Sequence, residues 1–362
     1  MSVSAALDNP APALPGERQG PAAGGGDARN SASDLTLAST WTPAFAGESG
    51  SEGVGAPSVE RLVESESWRS AQPQLSVLIP FYGDDPRPLL GELERQAAEL
   101  NGAVEVVVLN DGDSDLARGV AVAAAVAEMA APVRLVAVPN EGRARGRNRL
   151  ARHARAERLL FLDSDMAPDS RDFLRRWMEV DAPVAFGGFT VDRAPVTPRT
   201  VLHQAMSRHS DCLPAARRAE APEKHVFTSN LLVRREVFET VRFDESFTGW
   251  GWEDVEWAMR VARRWPILHL DNTATHLGLD TAEALTRKYE QSAGNFARVL
   301  QAHPDVVARY ASFRAARVLK RVPLAALWRP VLKRLAITTL APVPLRVAAA
   351  KTYRAALYAE VL

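Results

Sequence analysis

Short apolar segments alternate with helical segments in the first half of the chain, and this alternation limits the fold more than any other feature. The apolar segments predict short buried strands over residues 75–79, 104–109, 133–138 and 158–162. The segments between them predict helices over residues 88–100, 116–130 and 142–158. Short strands that alternate with helices are typical of parallel βαβ units with helices on both faces of the sheet. We therefore predict an α/β fold.

Polar turns follow three of the predicted strands, at 80–85, 110–115 and 163–165. Ligands of such sheets bind beyond the carboxyl ends of the strands, so these turns are expected to meet at one site. In the last turn, Asp163 and Asp165 are two residues apart, and paired carboxylates suit an Mg²⁺ or Mn²⁺ ion that bridges to substrate phosphates. The alternative is an ordinary acidic turn that caps a helix beginning near Ser170.

A basic turn with glycines, residues 140–148, enters the third predicted helix. Helix N-terminal amides together with Arg143, Arg145 and Arg147 make a diphosphate-binding environment. The alternative is a solvated basic helix face. The turn matches neither the dinucleotide-binding glycine pattern nor the phosphate-binding P-loop, which disfavours dehydrogenases and P-loop enzymes.

The segment from Gly249 to Glu256 is the most distinctive in the chain, because two tryptophans and two glycines precede the adjacent acids Glu253 and Asp254. Glycine lets a backbone approach a ligand, indole rings stack on sugars, and a nearby carboxylate can act as a general base. The alternative is a helix N-terminus with acids at the dipole and tryptophans in the core. Trp257, inside the following helix, is expected in the core.

Composition excludes several classes. Lys+Arg and Asp+Glu both total 44, and we expect no nucleic-acid partner. The single cysteine, Cys212, excludes a disulfide framework and a Cys-rich zinc module. The N-terminus has no secretory-signal pattern, and no run of about 18 apolar residues predicts a membrane span. We expect a cytoplasmic protein, with peripheral attachment at the inner face of the membrane as an option.

The two ends of the chain differ from its centre. Residues 1–70 are rich in Gly, Pro, Ser and Ala, and we predict a disordered segment there with a short helix near 59–68. Residues 311–362 carry ten bases and one acid among apolar residues, which is typical of amphipathic helices on anionic lipid. Pro323 and Pro330 are expected to break that helix. The alternative is a helical appendage on the core or on a second subunit.

Taken together, the motifs resemble those of the family 2 glycosyltransferases, which have the GT-A fold. The segments that carry the resemblance are 76–82, 107–112, 140–148, 161–165 and 243–254, with His276. The last of them is similar to the acceptor region of galactosyltransferase-like enzymes. The sequence departs from the family at Asn110-Asp111-Gly112-Asp113, where Asp-Asp-Gly-Ser is usual.

The resemblance implies a GT-A domain over 71–305 with a Rossmann-like nucleotide-binding half (71–185), an acceptor half (186–305) and a mixed central sheet. A basic helical extension over 306–362 follows it, and the disordered segment 1–70 precedes it. Loops near the donor sugar and the acceptor are expected at Gly187-Gly188 and Ser229-Asn230.

The resemblance also implies a role for individual residues. Pro80, Tyr82 and Asp111 should border the nucleoside, and Arg147 and Asn148 should lie near the phosphates. The implied metal ligands are Asp165 and His276, with Asp163 on the ribose or a metal-bound water. Asp254 matches the general base, and Glu253 and Trp250 match contacts to acceptor and donor sugar.

The implied activity is an inverting, metal-dependent hexosyl transfer from a nucleotide-diphospho-sugar, with UDP as the expected nucleotide and Mn²⁺ or Mg²⁺ as the cofactor. The expected acceptor is a glycan or a lipid-linked glycan, as in bacterial polysaccharide biosynthesis. One alternative is a catalytically inactive nucleotide-sugar-binding or glycan-binding protein. The other is a sugar-phosphate nucleotidyltransferase, which the segment after the first strand disfavours.

Overall fold

The computed structural model describes residues 60–322 and 325–362, so residues 1–59 of the segment predicted over 1–70 lie outside them. The described strands are β1 (Arg61–Glu64), β2 (Leu75–Phe81), β3 (Val104–Asp111), β4 (Val133–Val138), β5 (Arg158–Leu162), β6 (Met166–Pro168), β7 (Val184–Phe186), β8 (Phe189–Thr190), β9 (Asn230–Arg234), β10 (Ile267–His269) and β11 (Ala274–His276). The described helices are α1 (Arg87–Ala97), α2 (Leu116–Glu128), α3 (Arg143–His153), α4 (Phe173–Glu179), α5 (Val201–Ser210), α6 (Ala215–Arg218), α7 (Arg235–Thr240), α8 (Glu253–Val261), α9 (Ala282–Ala302), α10 (Pro304–Val307), α11 (Ala311–Leu319), α12 (Ala325–Ile337) and α13 (Val343–Glu360). The prediction of an α/β fold is confirmed.

The described part of the chain forms one large mixed sheet with the strand order β1-β4-β3-β2-β5-β9-β7-β10. Strands β4, β3, β2 and β5 run parallel, and β9 runs antiparallel to both of its neighbours. All eight residues of β3 are buried, as expected for a central strand covered on both faces. The order reverses at β2, because β3 and β4 lie on one side of it and β5 on the other, and such a switch point opens a crevice.

Strand β1 corrects the expectation for residues 59–70. Where a short helix is predicted in a disordered segment, Arg61–Glu64 pairs antiparallel with β4 and a single 3-10 turn follows at Glu66–Trp68. Trp68 is buried, and the guanidinium groups of Arg134 and Arg155 lie over its ring at 4.5 and 4.0 Å. The sheet therefore begins before the boundary predicted at residue 71, because an edge strand and a buried indole hold this segment.

A second, three-stranded sheet with the order β6-β11-β8 crosses the carboxyl end of β5. In this sheet β11 pairs antiparallel with β6, and the pairing sets His276 opposite Met166, the residue after Asp165. The small sheet thus brings a histidine from late in the chain to the acidic turn after β5.

The C-terminal helices pack on α5 and α9 through a separate apolar cluster that includes Phe296, Tyr353 and Tyr358. Pro330 lies inside α12, so the expectation that it breaks the helix is wrong. Apolar side chains on the inner side of α12, such as Leu332 and Leu335, pack in this cluster, and this packing outweighs the unfavourable helix propensity of proline. Pro323 lies outside the described residues.

Candidate active site

The turns after β2 and β3 meet beside the start of α3. Asp111, at the end of β3, accepts backbone N–H groups from Glu141 (2.7 Å) and Gly142 (3.2 Å). Burial raises the pKa of Asp111, although these two hydrogen bonds oppose the rise. Gly112 has a φ of +72°, and a Cβ there would lie 2.4 Å from the backbone nitrogen of Asn140, so only glycine fits. Asp111 therefore holds the turn into α3 while facing the predicted nucleoside site.

Pro80 and Tyr82 occupy the end of β2 and the residue after it. Pro80 is half-buried, whereas the Tyr82 ring is 56% exposed. Arg118 of α2 joins the loops after β2 and β3, since it donates to the carbonyl of Gly83 and forms an ion pair with Asp113 at 3.2 Å. A flat exposed ring on this anchored loop is suited to stacking on a base.

Helix α3 places Arg147 and Asn148 in different surroundings. Arg147 is 2% exposed and donates to Asp163 at 2.8 Å, while its Nε has no hydrogen-bond partner among the described residues. Asn148 is buried and bonds to the carbonyl (3.0 Å) and the amide (3.1 Å) of Phe243. Asn148 thus links the two halves of the domain through the backbone of Phe243. Its position near the nucleotide phosphates stays a prediction.

Asp165 and His276 face each other across β6 and β11, with Oδ2 and Nε2 2.9 Å apart. Burial alone would raise the pKa of Asp165 and lower that of His276, but their mutual hydrogen bond and opposite charges lower the pKa of Asp165 and raise that of His276. Gly278 packs against the pair, since a Cβ on it would lie 2.1 Å from Asp165 Oδ2.

The pair fits a divalent cation as a partial ligand set. Adjacent ligands of an octahedral ion with bonds of about 2.1 Å are separated by about 3 Å, close to the distance between Asp165 Oδ2 and His276 Nε2. A carboxylate oxygen with an imidazole nitrogen is a donor set that Mn²⁺ accepts. Among residues 60–322 and 325–362 no three metal-ligating side chains cluster, so substrate phosphates and water would have to supply the other ligands.

Three further side chains lie around this pair and were not expected from the sequence. Burial and the charge of Asp165 raise the pKa of Asp84. The His203 ring lies 5.7 Å from that of His276, and its Nδ1 accepts the backbone N–H of Asp280 at 2.8 Å. Lys288 binds Asp280 at 2.6 Å and lies 5.9 Å from the Trp250 ring. Only Asp84, in the turn after β2, could have been suspected from its position in the sequence.

The tryptophan-glycine segment forms a strained turn before α8. Gly249 and Gly251 have φ values of +72° and +90°, and Trp252 has a φ of +78°, uncommon for a residue with a side chain. The Trp252 indole donates to the Tyr358 hydroxyl at 3.0 Å in the apolar cluster, whereas Trp250 stays half-buried beside Lys288. Both tryptophans therefore pack against the apolar cluster, and Trp250 in addition lies near Lys288.

Glu253 and Asp254 begin α8 and are both buried. Arg143 donates to Glu253, and Asp254 accepts from the Thr228 amide at 3.1 Å and from the Thr228 hydroxyl at 3.2 Å. Burial and the charge of Glu253 raise the pKa of Asp254 to about 6, against an ordinary value of 3.8. A carboxylate with this pKa is a good proton acceptor near neutral pH.

Asp163 lies between the Asp165–His276 pair and the acids at the start of α8, because its charge acts on both His276 and Arg143. The structure thus brings together most of the residues expected at the site, and Arg143 and Thr228 join them. Of the three arginines predicted near a diphosphate, Arg145 differs from the others: its side chain is 58% exposed and lies 3.3 Å from Glu245, as on a solvated basic face. Trp257 lies in the core as predicted, and its indole donates to the Val241 carbonyl at 2.7 Å.

The predicted loops at 187–188 and 229–230 pack closely against each other. Asn230 donates to the carbonyl of Gly188 at 2.8 Å, and a Cβ on Gly187 would lie 2.5 Å from the Asn230 amide nitrogen. A cavity of about 810 Å³ opens beside Asp165 and Gly278, and Asp165 is the one predicted site residue in its lining. The two loops are therefore joined by a direct hydrogen bond, and the cavity adjoins the site at Asp165.

The fold and the site define the class of the protein: an α/β protein with acidic turns at the carboxyl ends of its parallel strands and a buried pair of acids, Glu253 and Asp254. Residues 76–242 match the model of Glycosyl transferase family 2. Over these residues the chain carries a family 2 glycosyltransferase domain, so the resemblance inferred from the sequence is confirmed, and the protein is a glycosyltransferase. The match includes Asp111, Arg147, Asp163 and Asp165 and ends before the tryptophan-glycine segment.

Several solved structures are similar to this chain, all with low identity. The mannosyltransferase PcManGT from Pyrobaculum calidifontis, in complex with GDP-Man and Mn²⁺, is 18% identical with a TM-score of 0.46, over 80% of this chain and 88% of its own. S. aureus TarS 1-349 in complex with UDP-GlcNAc is 16% identical with a TM-score of 0.44, over 80% and 90%. These values carry no argument about substrate or mechanism. The chain has no significant match among curated proteins.

Proposed function

We propose that this glycosyltransferase moves a hexosyl unit from a nucleotide-diphospho-sugar, with UDP as the expected nucleotide, to a hydroxyl of a glycan or lipid-linked acceptor. The observation that carries the proposal is the buried Asp254, which has a raised pKa and is held by Thr228. It shares two neighbouring arginines, Arg143 and Arg147, with Asp163. A proton acceptor opposite a diphosphate-binding edge is the arrangement that glycosyl transfer needs.

The donor would lie along the carboxyl ends of β2, β3 and β5. Tyr82 would stack on the base, and Arg147, at the start of α3, would face the phosphates. Asp165 and His276 would hold the divalent cation, which when bound offsets the negative charge of the departing diphosphate. Asp163 keeps Arg147 in place through their 2.8 Å hydrogen bond.

Asp254 would take the proton from the acceptor hydroxyl as that oxygen attacks the anomeric carbon. Because the base and the diphosphate-binding edge come from different halves of the domain, we propose attack on the face opposite the leaving group. An α-linked donor would then yield a β-linked product. Glu253, neutralised by Arg143, would contact the acceptor, and Trp250 would offer its indole face to a sugar ring.

The test is a panel of UDP- and GDP-linked hexoses, measured for binding by calorimetry and for turnover with Mn²⁺, Mg²⁺ or EDTA. We expect one donor to bind and to be hydrolysed slowly with metal. The Asp254→Asn variant should keep donor binding and lose turnover, and Asp165→Asn should lose metal-dependent binding.

Other outcomes would favour one of the alternative functions or refute an assigned role. Donor binding without turnover by the wild-type protein, with any acceptor tried, would favour a binding protein. Formation of a nucleotide-sugar from a sugar phosphate would favour a nucleotidyltransferase. Full turnover in EDTA, or in Asp254→Asn, would refute the metal or the base assignment.

A further inference from the structure

Large apolar side chains stay exposed in one short stretch near the C-terminal end of the chain. In the described residues this stretch contains seven of them: Val318, Val322, Leu327, Trp328, Val331, Leu340 and Leu345. The others are scattered singly between residues 62 and 277. Single exposed apolar residues are normal, but a group of them marks an interaction surface.

The exposed residues of α12 form one stripe. Leu327 and Val331 are four positions apart, and Trp328 and Val331 are three apart, so they share a face of the helix. Leu332 and Leu335 follow Trp328 and Val331 by four positions and widen this stripe, and they pack in the apolar cluster with α13. The fold therefore covers one flank of the apolar stripe and leaves the other flank exposed.

Bases are frequent in the same stretch of chain, and most of them lack acidic partners. Five exposed bases form no ion pair within the described part of the chain: Arg314, Arg317, Lys320, Arg321 and Arg334. Two others, Arg329 and Lys333, pair with Glu360 and Glu290. The surface is thus both apolar and strongly positive.

We propose that this surface, residues 314–322 and 325–345, docks the enzyme on an anionic lipid bilayer. Trp328 would sit at the level of the headgroups, Leu340, 95% exposed in the turn between α12 and α13, would enter the acyl region, and the bases would bind headgroup phosphates. A second copy of the chain is a poorer occupant, because two such faces would set the unpaired bases against each other.

The attachment is peripheral by its nature. No helix in residues 60–322 or 325–362 has the length and apolar composition that crossing a bilayer requires. Docking is also a property separate from sugar transfer, since none of these residues belongs to the candidate active site. Docking would place the active site beside a lipid-linked acceptor. Vesicle flotation tests docking independently of any measurement of sugar transfer.

The test is flotation of the full-length protein with vesicles of phosphatidylcholine alone and of phosphatidylcholine mixed with phosphatidylglycerol. We expect binding to the anionic vesicles only, weakened by added salt. The triple variant Leu327→Ser, Trp328→Ser, Val331→Ser should lose at least about tenfold in partitioning, as should the charge variant Arg317→Glu, Arg321→Glu.

A matched control carries the same kind of change outside the surface, at Val196→Ser and Leu268→Ser, which are also exposed, and should bind like the wild type. Thermal melting checks that each variant folds. If the triple variant does not fold, the charge variant, which changes two exposed arginines, still tests the proposal. Wild-type protein that stays with the soluble fraction, or variants that float as well as the wild type, would overturn the proposal. If light scattering showed that the wild type is a dimer and the triple variant a monomer, the face would be assigned to a second copy instead.

Discussion

The charge on Glu253 should set the pH at which the proposed base Asp254 works. The two residues are adjacent at the start of α8, and burial together with the charge of Glu253 raises the pKa of Asp254 to about 6. Glu253→Gln removes that charge and keeps the shape of the side chain. The pKa of Asp254 should then fall, so the enzyme should stay active at lower pH.

The size of the shift follows from the same values. The rise from 3.8 to about 6 is about two pKa units, equal to about 3 kcal/mol at 1.4 kcal/mol per unit. Burial is the first cause and remains in the variant, and Arg143 already offsets part of the charge of Glu253. We therefore expect the acidic limb of the pH profile to move down by about one unit.

The assay is kcat/KM for sugar transfer as a function of pH, which reports the base in the free enzyme. The maximal kcat/KM can fall as well, since Glu253 is also a proposed acceptor contact. The readout is therefore the pH at which the acidic limb of the profile lies, and not the height of the profile. Thr228→Val gives a control of opposite sign: it removes the hydroxyl that donates to Asp254, keeps the backbone N–H that also donates, and should move the limb up. A limb that stays in place in both variants, or that moves up in Glu253→Gln, would refute the argument.

Three further predictions concern stability and the metal. Ionising Asp254 in the folded state costs stability only above pH 3.8, and the full cost is present above about pH 6. At pH 8 the free energy of unfolding of Asp254→Asn should therefore exceed that of the wild type by up to about 3 kcal/mol, seen as a higher unfolding temperature, and near pH 4 the two proteins should be equally stable. Gly278→Ala should displace Asp165 and weaken Mn²⁺-dependent donor binding in calorimetry by at least about tenfold, whereas Gly294→Ala, with open space around its Cβ in α9, should bind normally. Trp257→Phe should lose a buried hydrogen bond and about 1–3 kcal/mol in urea unfolding, and an unchanged midpoint would contradict that bond.

Much of the nucleotide-binding half could be predicted from local sequence. The strands over 133–138 and 158–162 have the predicted bounds, because continuous apolar runs between turns specify buried strands. Helix α3 ends at His153, five residues before the predicted end, where the chain turns back toward the sheet. Strands β1, β7 and β10 have three or four residues, too few for a periodic signal, and only pairing with distant strands defines them.

The site was predicted less evenly than the fold. The acids after β5 and at the start of α8 were found because their neighbours, an apolar strand and a glycine-tryptophan turn, are distinctive. Thr228 and His203 were missed, because a threonine or histidine in ordinary surroundings gives no local signal. Asn148 was assigned to the nucleotide from its motif, and the structure bonds it to Phe243, 95 positions away.

Strands β2 to β5, the acidic turns that follow them and the family resemblance depend on residues close together in the chain, so local sequence is enough to predict them. Which side chains meet is set in the tertiary structure, where distant segments pair. Arg143 reaches Glu253 across 110 positions, and Asp165 meets His276 only because β6 and β11 pair in one register. The protonation of Asp254 was decided there too, since burial and the charge of a neighbour, which set its pKa, exist only once the chain has folded.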